Sequence, residues 1–273
     1  MSSSHERNDR KRPFKPGADK PFRGHHSPPR ARADGTGPEW LWGWHAVVAA
    51  LANPRREAPR RILATADRAR QLSERFGKLE PLETLDPGAI GHQLPAGAVH
   101  QGVALKAAPL EPLSIEDLGT PAEGVILMLD QVTDPQNVGA IFRSAAAFGA
   151  RGLVLQDRHA PPLTGALAKA AAGAVDALPH ARAVNLSRAL ETLAELGWRA
   201  VGLDGEADLT LAETLDGRPT VLVLGSEGEG LRRLVAEHCD VLARIPMPGG
   251  FESLNVSAAA AVALYAATAA RKP

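Results

Sequence analysis

The sequence predicts an α/β protein in which a small N-terminal α/β unit precedes a larger one built on a parallel sheet. Three observations predict it. Residues 125–129, 152–155, 198–203, 220–224 and 241–245 are near-continuous apolar runs of strand length, the pattern of strands buried on both faces. Helical patterns separate them over 138–148, 163–172 and 186–196, closed by Gly149, Gly173 and Gly197. A shorter alternation of strand and helix patterns comes first, between Trp40 and Lys106.

Taken in order, the chain opens on a segment that cannot build a core. Residues 1–38 carry nine Lys or Arg against four acids, with Phe14 and Phe22 as their only large apolar side chains. Such a composition does not bury enough surface to offset the entropy of ordering, so a disordered basic arm is expected, either an inert extension or a contact for RNA. The charge is lopsided. The arm is +5 and the rest of the chain −5, giving net zero over 273 residues, so affinity for a polyanion is expected to concentrate in the arm.

The small unit is read over 39–108: a short element at Trp40 feeding a helix that ends before Asn53-Pro54, a strand at 61–65, a helix at 67–76 capped by Gly77, and a strand at 102–106. Residues 109–123 read as a linker with at most one helical turn. The larger unit, 124–273, is expected to be doubly wound, its parallel sheet covered by helices on both faces. The 44% apolar content suffices for a core, and no apolar run approaches the ~20 residues that cross a bilayer. The polar start also lacks the apolar centre of a secretory signal, so no membrane association and a cytoplasmic location are expected. Cys239 is the single cysteine, which excludes an internal disulfide and a Cys-rich metal site; a buried structural thiol is expected there.

Ligands of open α/β sheets collect at the carboxyl ends of strands, where three loops stand out. The first, 130–145, places Asn137 at the mouth of a helix and Arg143 on its first two turns; a cap and a solvated surface charge are the plain alternatives. The second, 224–233, holds Gly225, Gly228 and Gly230, which let backbone approach a ligand closely. Its Glu227 and Glu229 argue against a phosphate cradle. It matches neither the dinucleotide fingerprint nor the P-loop, so a nicotinamide dehydrogenase or an NTPase is not expected. The third is the bend 245–257, in which Pro246, Pro248, Gly249 and Gly250 forbid regular structure and leave backbone groups free for a ligand. One of Ser253, Asn255 and Ser257 should cap the following Ala/Val/Leu helix, whose lack of a polar face calls for burial against a sheet or a second subunit.

In order and spacing, the segments Asp134-Pro135-Gln136-Asn137-Val138-Gly139 with Arg143, Gly225-Ser226-Glu227-Gly228, and Ile245-Pro246-Met247 with Ser253-Leu254-Asn255-Val256-Ser257 resemble the three motifs of the SpoU (TrmH) class of SPOUT RNA methyltransferases. The likeness extends over roughly Trp40 to Ala270: Trp42-Gly43-Trp44-His45 and Val99-His100-Gln101-Gly102 resemble the ends of that class's small L30e-like substrate-binding domain. Gly205-Glu206-Ala207-Asp208 and Glu237-His238-Cys239-Asp240 are similar to the branch that methylates a guanosine ribose in 23S rRNA. The resemblance implies a C-terminal trefoil knot, an obligate homodimer with its sites at the subunit interface, and S-adenosylmethionine held mainly by main-chain groups without a metal. By matched position Gly225, Ile245 and Leu254 would contact the cofactor and Leu224 and Met247 would line the adenine slot.

The functional set so implied is Asn137, Arg143, Glu227 and Asn255, with Ser253 beside them. Arg143 has been assigned the base role in such enzymes, yet a guanidinium is a poor proton acceptor. Bidentate orientation of the target phosphate suits it better, leaving Glu227 or solvent to take the proton. Gly250-Phe251-Glu252 departs from the smaller, more polar neighbours expected before Ser253. The expected activity is therefore ribose 2′-O-methylation of 23S rRNA; the same chemistry on tRNA and a non-catalytic rRNA-binding assembly factor are its rivals. An L30e-like domain argues against the minimal tRNA enzymes, and four intact functional positions against a protein relieved of catalysis.

Overall fold

The computed structural model describes residues 39–249 and 253–271; the N-terminal arm expected over 1–38 and the Gly250-Phe251-Glu252 departure lie outside them. Two sheets organise the chain. The first takes β1 (Glu39–Trp42), β2 (Arg61–Ala64), β3 (Leu82–Thr84) and β4 (Val103–Ala107) in the order β1-β4-β2-β3, with α1 (Trp44–Ala52), α2 (Ala66–Phe76) and α3 (Pro87–His92) between the strands. Strand β4 pairs antiparallel with both β1 and β2, and β3 runs parallel to β2. Leu41, Val47, Ile62, Leu72, Val103 and Leu105 form its core. Helix α2 ends where Gly77 adopts φ 74°. Strand β3 and helix α3 have no counterpart in the sequence pattern, because Leu82-Glu83-Thr84 is too short and too polar to stand out.

The stretch after β4 is attached, not free. Helix α4 (Ile115–Gly119) buries Leu118, and just before it the Leu113 N–H donates to the His180 carbonyl at 2.8 Å, extending the edge of the second sheet.

That sheet holds β5 (Val125–Leu129), β6 (Gly152–Gln156), β7 (His180–Ala183), β8 (Arg199–Leu203), β9 (Thr220–Leu224) and β10 (Val241–Ala243), all parallel, in the order β10-β8-β9-β5-β6-β7. The connecting helices are α5 (Pro135–Ala147), α6 (Gly165–Ala170), α7 (Ala174–Ala177), α8 (Leu186–Glu195), α9 (Leu211–Thr214) and α10 (Arg233–Glu237), with α11 (Val256–Ala270) following β10. Both faces are covered, as the unbroken apolar strands require. Val125, Leu127 and Leu129 pack with α5, α6, α7, α9 and α11, while Ile126 and Met128 pack with α4, α8 and α10. Strand β7 is a strand the sequence hides, its His-Ala-Arg-Ala being ordered by pairing with β6 rather than by its own pattern.

The two sheets meet through α1, β1, α6 and α7. Arg56 and Asp176 form an ion pair at 2.5 Å with each side chain only 4% exposed. Asn53 Nδ2 donates to Asp176 Oδ1 at 3.0 Å, and Arg56 Nη1 donates to the Ala108 carbonyl at 2.8 Å. The fit is close: a Cβ at Gly165 would lie 2.8 Å from the Trp42 ring.

Candidate active site

Strands β5, β9 and β10 all end at one edge of the sheet, and the three loops found in the sequence converge there. Helix α5 begins earlier than its apolar pattern suggests. Asp134 is its cap, accepting the N–H groups of Gln136 at 3.3 Å and Asn137 at 3.1 Å. Asn137 is therefore not the cap; as the third helical residue its side chain is free to reach across to the next loop.

That loop leaves β9 and turns on itself. Ser226 and Gly230 exchange both backbone hydrogen bonds at 3.1 Å, and the chain passes so close that a Cβ on Gly225 would meet the Gly230 carbonyl carbon at 2.1 Å. No other residue fits at Gly225 without opening the loop. The turn carries Glu227 to the mouth of α5.

The third loop brings Asn255 to the same point. Its Oδ1 caps α11, accepting from the Ser257 N–H at 3.0 Å and the Ala258 N–H at 3.4 Å. Its Nδ2 donates to Glu227 Oε1 at 2.7 Å and to Asn137 Oδ1 at 3.0 Å. Glu227 Oε1 also accepts from Asn137 Nδ2 at 3.1 Å and from the Val256 N–H at 3.3 Å. One carboxylate oxygen thus joins three loops at the positive end of a 15-residue helix, where a negative charge is favoured. Its second oxygen has no hydrogen-bond partner among the described residues.

Beside this knot of side chains opens a cleft of about 850 Å³, lined by residues 203–206, 224–231, 253–256 and by Ala243, Ile245, Met247 and Ala259. All five expected cofactor residues (Leu224, Gly225, Ile245, Met247 and Leu254) line it, together with Glu227, Ser253 and Asn255. Asn137 stands at the rim through Glu227. Arg143 is not brought in: it is exposed on α5, with neither ion pair nor hydrogen bond to any described residue. Nothing in the sequence singles out residues 203–206 as ligand-facing, although the rule that ligands gather at strand ends applies to β8 as it does to its neighbours.

The cleft has the size of a small-molecule site and the right walls for S-adenosylmethionine: apolar side chains from Leu203, Leu224, Ile245, Met247 and Leu254, and backbone freed by the turn at Gly225. Among the described residues no group of His, Cys, Asp and Glu is arranged to hold a metal ion. Cys239 is half-buried rather than fully buried, and burial first, then the charges of Asp240 and Asp130, push its thiol up to about 12, which disfavours the thiolate. No helix among the described residues is long and apolar enough to cross a membrane.

Comparison with known proteins identifies the family. Residues 124–265, more than half of the chain, match the model of the SpoU rRNA Methylase family. The chain is similar to the 23S rRNA (guanosine-2′-O-)-methyltransferase RlmB of Pseudomonas aeruginosa, 38% identical over 253 residues that cover 86% of this chain and 98% of that protein. It is 40% identical to an uncharacterized tRNA/rRNA methyltransferase of Synechocystis, but spans only 61% of that longer protein. An AdoMet-bound rRNA methyltransferase from Sinorhizobium meliloti superposes with a TM-score of 0.70 at 26% identity, over 84% of this chain and 86% of that one. The fold is also that of the SpoU methyltransferase AviRb from Streptomyces viridochromogenes, with a TM-score of 0.73 at 24% identity over 86% of this chain and 90% of that one.

Proposed function

The chain belongs to the SpoU rRNA methylase family and is an S-adenosylmethionine-dependent RNA methyltransferase; from that premise we propose that its target is a guanosine ribose 2′-hydroxyl of 23S rRNA. The observation that carries the reading is the shared oxygen of Glu227, which ties Asn137, Asn255 and the start of α11 into one site at the lip of a cofactor-sized cleft. Full-length similarity to a protein named for that reaction supports the substrate.

S-adenosylmethionine, when bound, supplies a methyl group already activated by its sulfonium. The chain's residues then have two tasks, to hold a ribose hydroxyl in line and to take its proton. Leu224 and Met247 wall the cleft, while Gly225, Ile245 and Leu254 offer main-chain groups. Glu227 Oε1 is committed to its three donors, so Oε2 is left to accept the hydroxyl proton, directly or through a water. Arg143 aligns the adjacent phosphate with its planar fork.

Since Arg143 is exposed away from its own cleft, it completes the site of a second copy across a homodimer interface. The candidate interface is the face of α5 and α11 on which Val262 is 43% and Tyr265 65% exposed, with Tyr265 edge-on to Phe148 at 6.2 Å. The contact of Asn255, after β10, with Glu227, in the loop after β9, supports reading the C-terminus as a trefoil knot. The first sheet is read as the L30e-like layer that holds RNA, within the proposed divisions 39–108, 109–123 and 124–273, and the arm over 1–38 as a further RNA contact. The proposed location is the cytoplasm. Incubating rRNA from cells lacking the protein with the purified protein and labelled S-adenosylmethionine, then mapping ribose methylation, tests the function; label absent from 23S rRNA contradicts it.

A further inference from the structure

Asp130, at the end of β5, is completely buried, yet it lines no part of the cleft. Its Oδ2 accepts the backbone N–H of Arg232 at 2.9 Å, and its Oδ1 accepts Nε of the same residue at 2.7 Å. A carboxylate taken wholly out of water is costly unless paired and hydrogen-bonded, so a strand end would hold one only for what the pairing fixes. What it fixes is the exit of the glycine-rich loop, because Arg232 is the cap at which that loop ends and α10 begins.

The loop has two other anchors. Its tip is held by Glu227 against Asn137 and Asn255, and its neck by the paired backbones of Ser226 and Gly230. At the tip and the neck, Gly228 and Gly230 adopt φ 91° and 67°, and with no side chain these positions by themselves leave the backbone free to take other paths. The third anchor starts from the same strand that leads into Asn137, so it sets both the loop's path and the spacing between the segments bearing Asn137 and Glu227.

We propose that Asp130 is a positioning residue for the cofactor loop, acting through Arg232 to hold Gly225 and Glu227 in place. The proposal rests on reading the cleft as the S-adenosylmethionine site. In Asp130→Asn the side-chain shape is kept, but the charge is lost and only one oxygen remains to accept.

The test uses the full-length protein and compares Asp130→Asn, Arg232→Gln and the double variant with the parent. Measured are S-adenosylmethionine binding by calorimetry, the split between KM for S-adenosylmethionine and kcat, amide exchange over residues 225–232, and thermal melting. Expected for Asp130→Asn is binding weakened roughly tenfold, as for one lost charge-assisted hydrogen bond, with KM rising more than kcat falls and faster exchange confined to the loop. The double variant, which restores a matched pair of amides, should recover part of the affinity. The proposal is overturned if affinity per folded molecule and loop exchange both stay within about twofold of the parent, or if the lost binding equals the lost folded fraction. Should Asp130→Asn not fold, Arg232→Gln, whose side chain is 42% exposed, carries the same readouts. If the parent itself binds no S-adenosylmethionine, the cofactor reading fails, and loop exchange still decides the tether.

Discussion

Asn255 holds Glu227 with one end of its amide and α11 with the other: Nδ2 lies 2.7 Å from Glu227 Oε1 while Oδ1 accepts the Ser257 N–H at 3.0 Å. A helix cap and a contact of the candidate site therefore share one side chain. Substitution can separate them. Asn255→Asp keeps a good cap but sets a second carboxylate against Glu227, so melting should stay near the parent while turnover falls by about two orders of magnitude. Asn255→Ala loses both, with melting lowered by about 2–4 °C for a cap worth ~1 kcal/mol. Equal melting losses in the two variants would contradict this division of roles.

Arg143 and Glu227 are distinguished by pH–rate profiles under single-turnover conditions. If Arg143 positions a phosphate, Arg143→Lys keeps the charge but loses the fork, so the profile should be depressed in parallel with the parent's while S-adenosylmethionine affinity is unchanged. Recovery of Arg143→Lys at alkaline pH, not shared by the parent, would assign the proton to residue 143 instead. Glu227→Gln should abolish the acid limb of the profile.

The proposed completion of each site by a second copy's arginine predicts complementation. Arg143→Ala and Asn255→Ala dimers, each inactive, should regain about a quarter of parental activity when mixed and allowed to exchange subunits, because half of the dimers are mixed and each holds one intact site. A mixture as inactive as its components, with exchange verified, would place Arg143 in its own subunit's site.

His180 predicts an acid-sensitive fold. It is 1% exposed at the edge-on face of Phe142, both ring nitrogens lack partners among the described residues, and its pKa falls to about 4. Burial is the main cause, followed by Arg182 on its own strand and by Arg55 and Arg56 from the first sheet's side. The unfolded chain binds a proton here below about pH 6.5 and the folded one only below about 4, so stability falls as pH drops through that window. The loss is about 3 kcal/mol. His180→Leu should flatten the stability curve between these values, and urea midpoints measured at closely spaced pH check it. An unchanged slope would remove His180 as the source.

Much of the second sheet was legible because β5 and β9 are buried on both faces and so are unbroken Val/Ile/Leu runs. Strand β7 was not, since His180 and Arg182 are held there by the pairing with β6 and no local pattern announces them. The start of α5 lies three residues before the point its apolar pattern predicts: Pro135-Gln136-Asn137 has no apolar periodicity, and only the Asp134 cap marks the true beginning. The three loops are legible as loops at strand ends, whereas picking Glu227, Asn255 and the five cleft residues out of them takes the family resemblance. The link between Asp130 and Arg232 could not be found, because they are 102 positions apart and each alone looks like an ordinary charged residue.

The cleft draws its lining from segments made far apart in time as well as in sequence. A growing chain that has passed β10 already possesses every strand of the second sheet, yet it lacks Ser253, Leu254, Asn255, Val256 and Ala259. Until those residues leave the exit tunnel and α11 docks, Glu227 has lost two of its three partners and one wall of the pocket does not exist. A translation product stalled before Asn255 therefore lacks both a wall of the cleft and the core side chains that α11 packs against the sheet, so pocket and core are completed together by the last segment to be made.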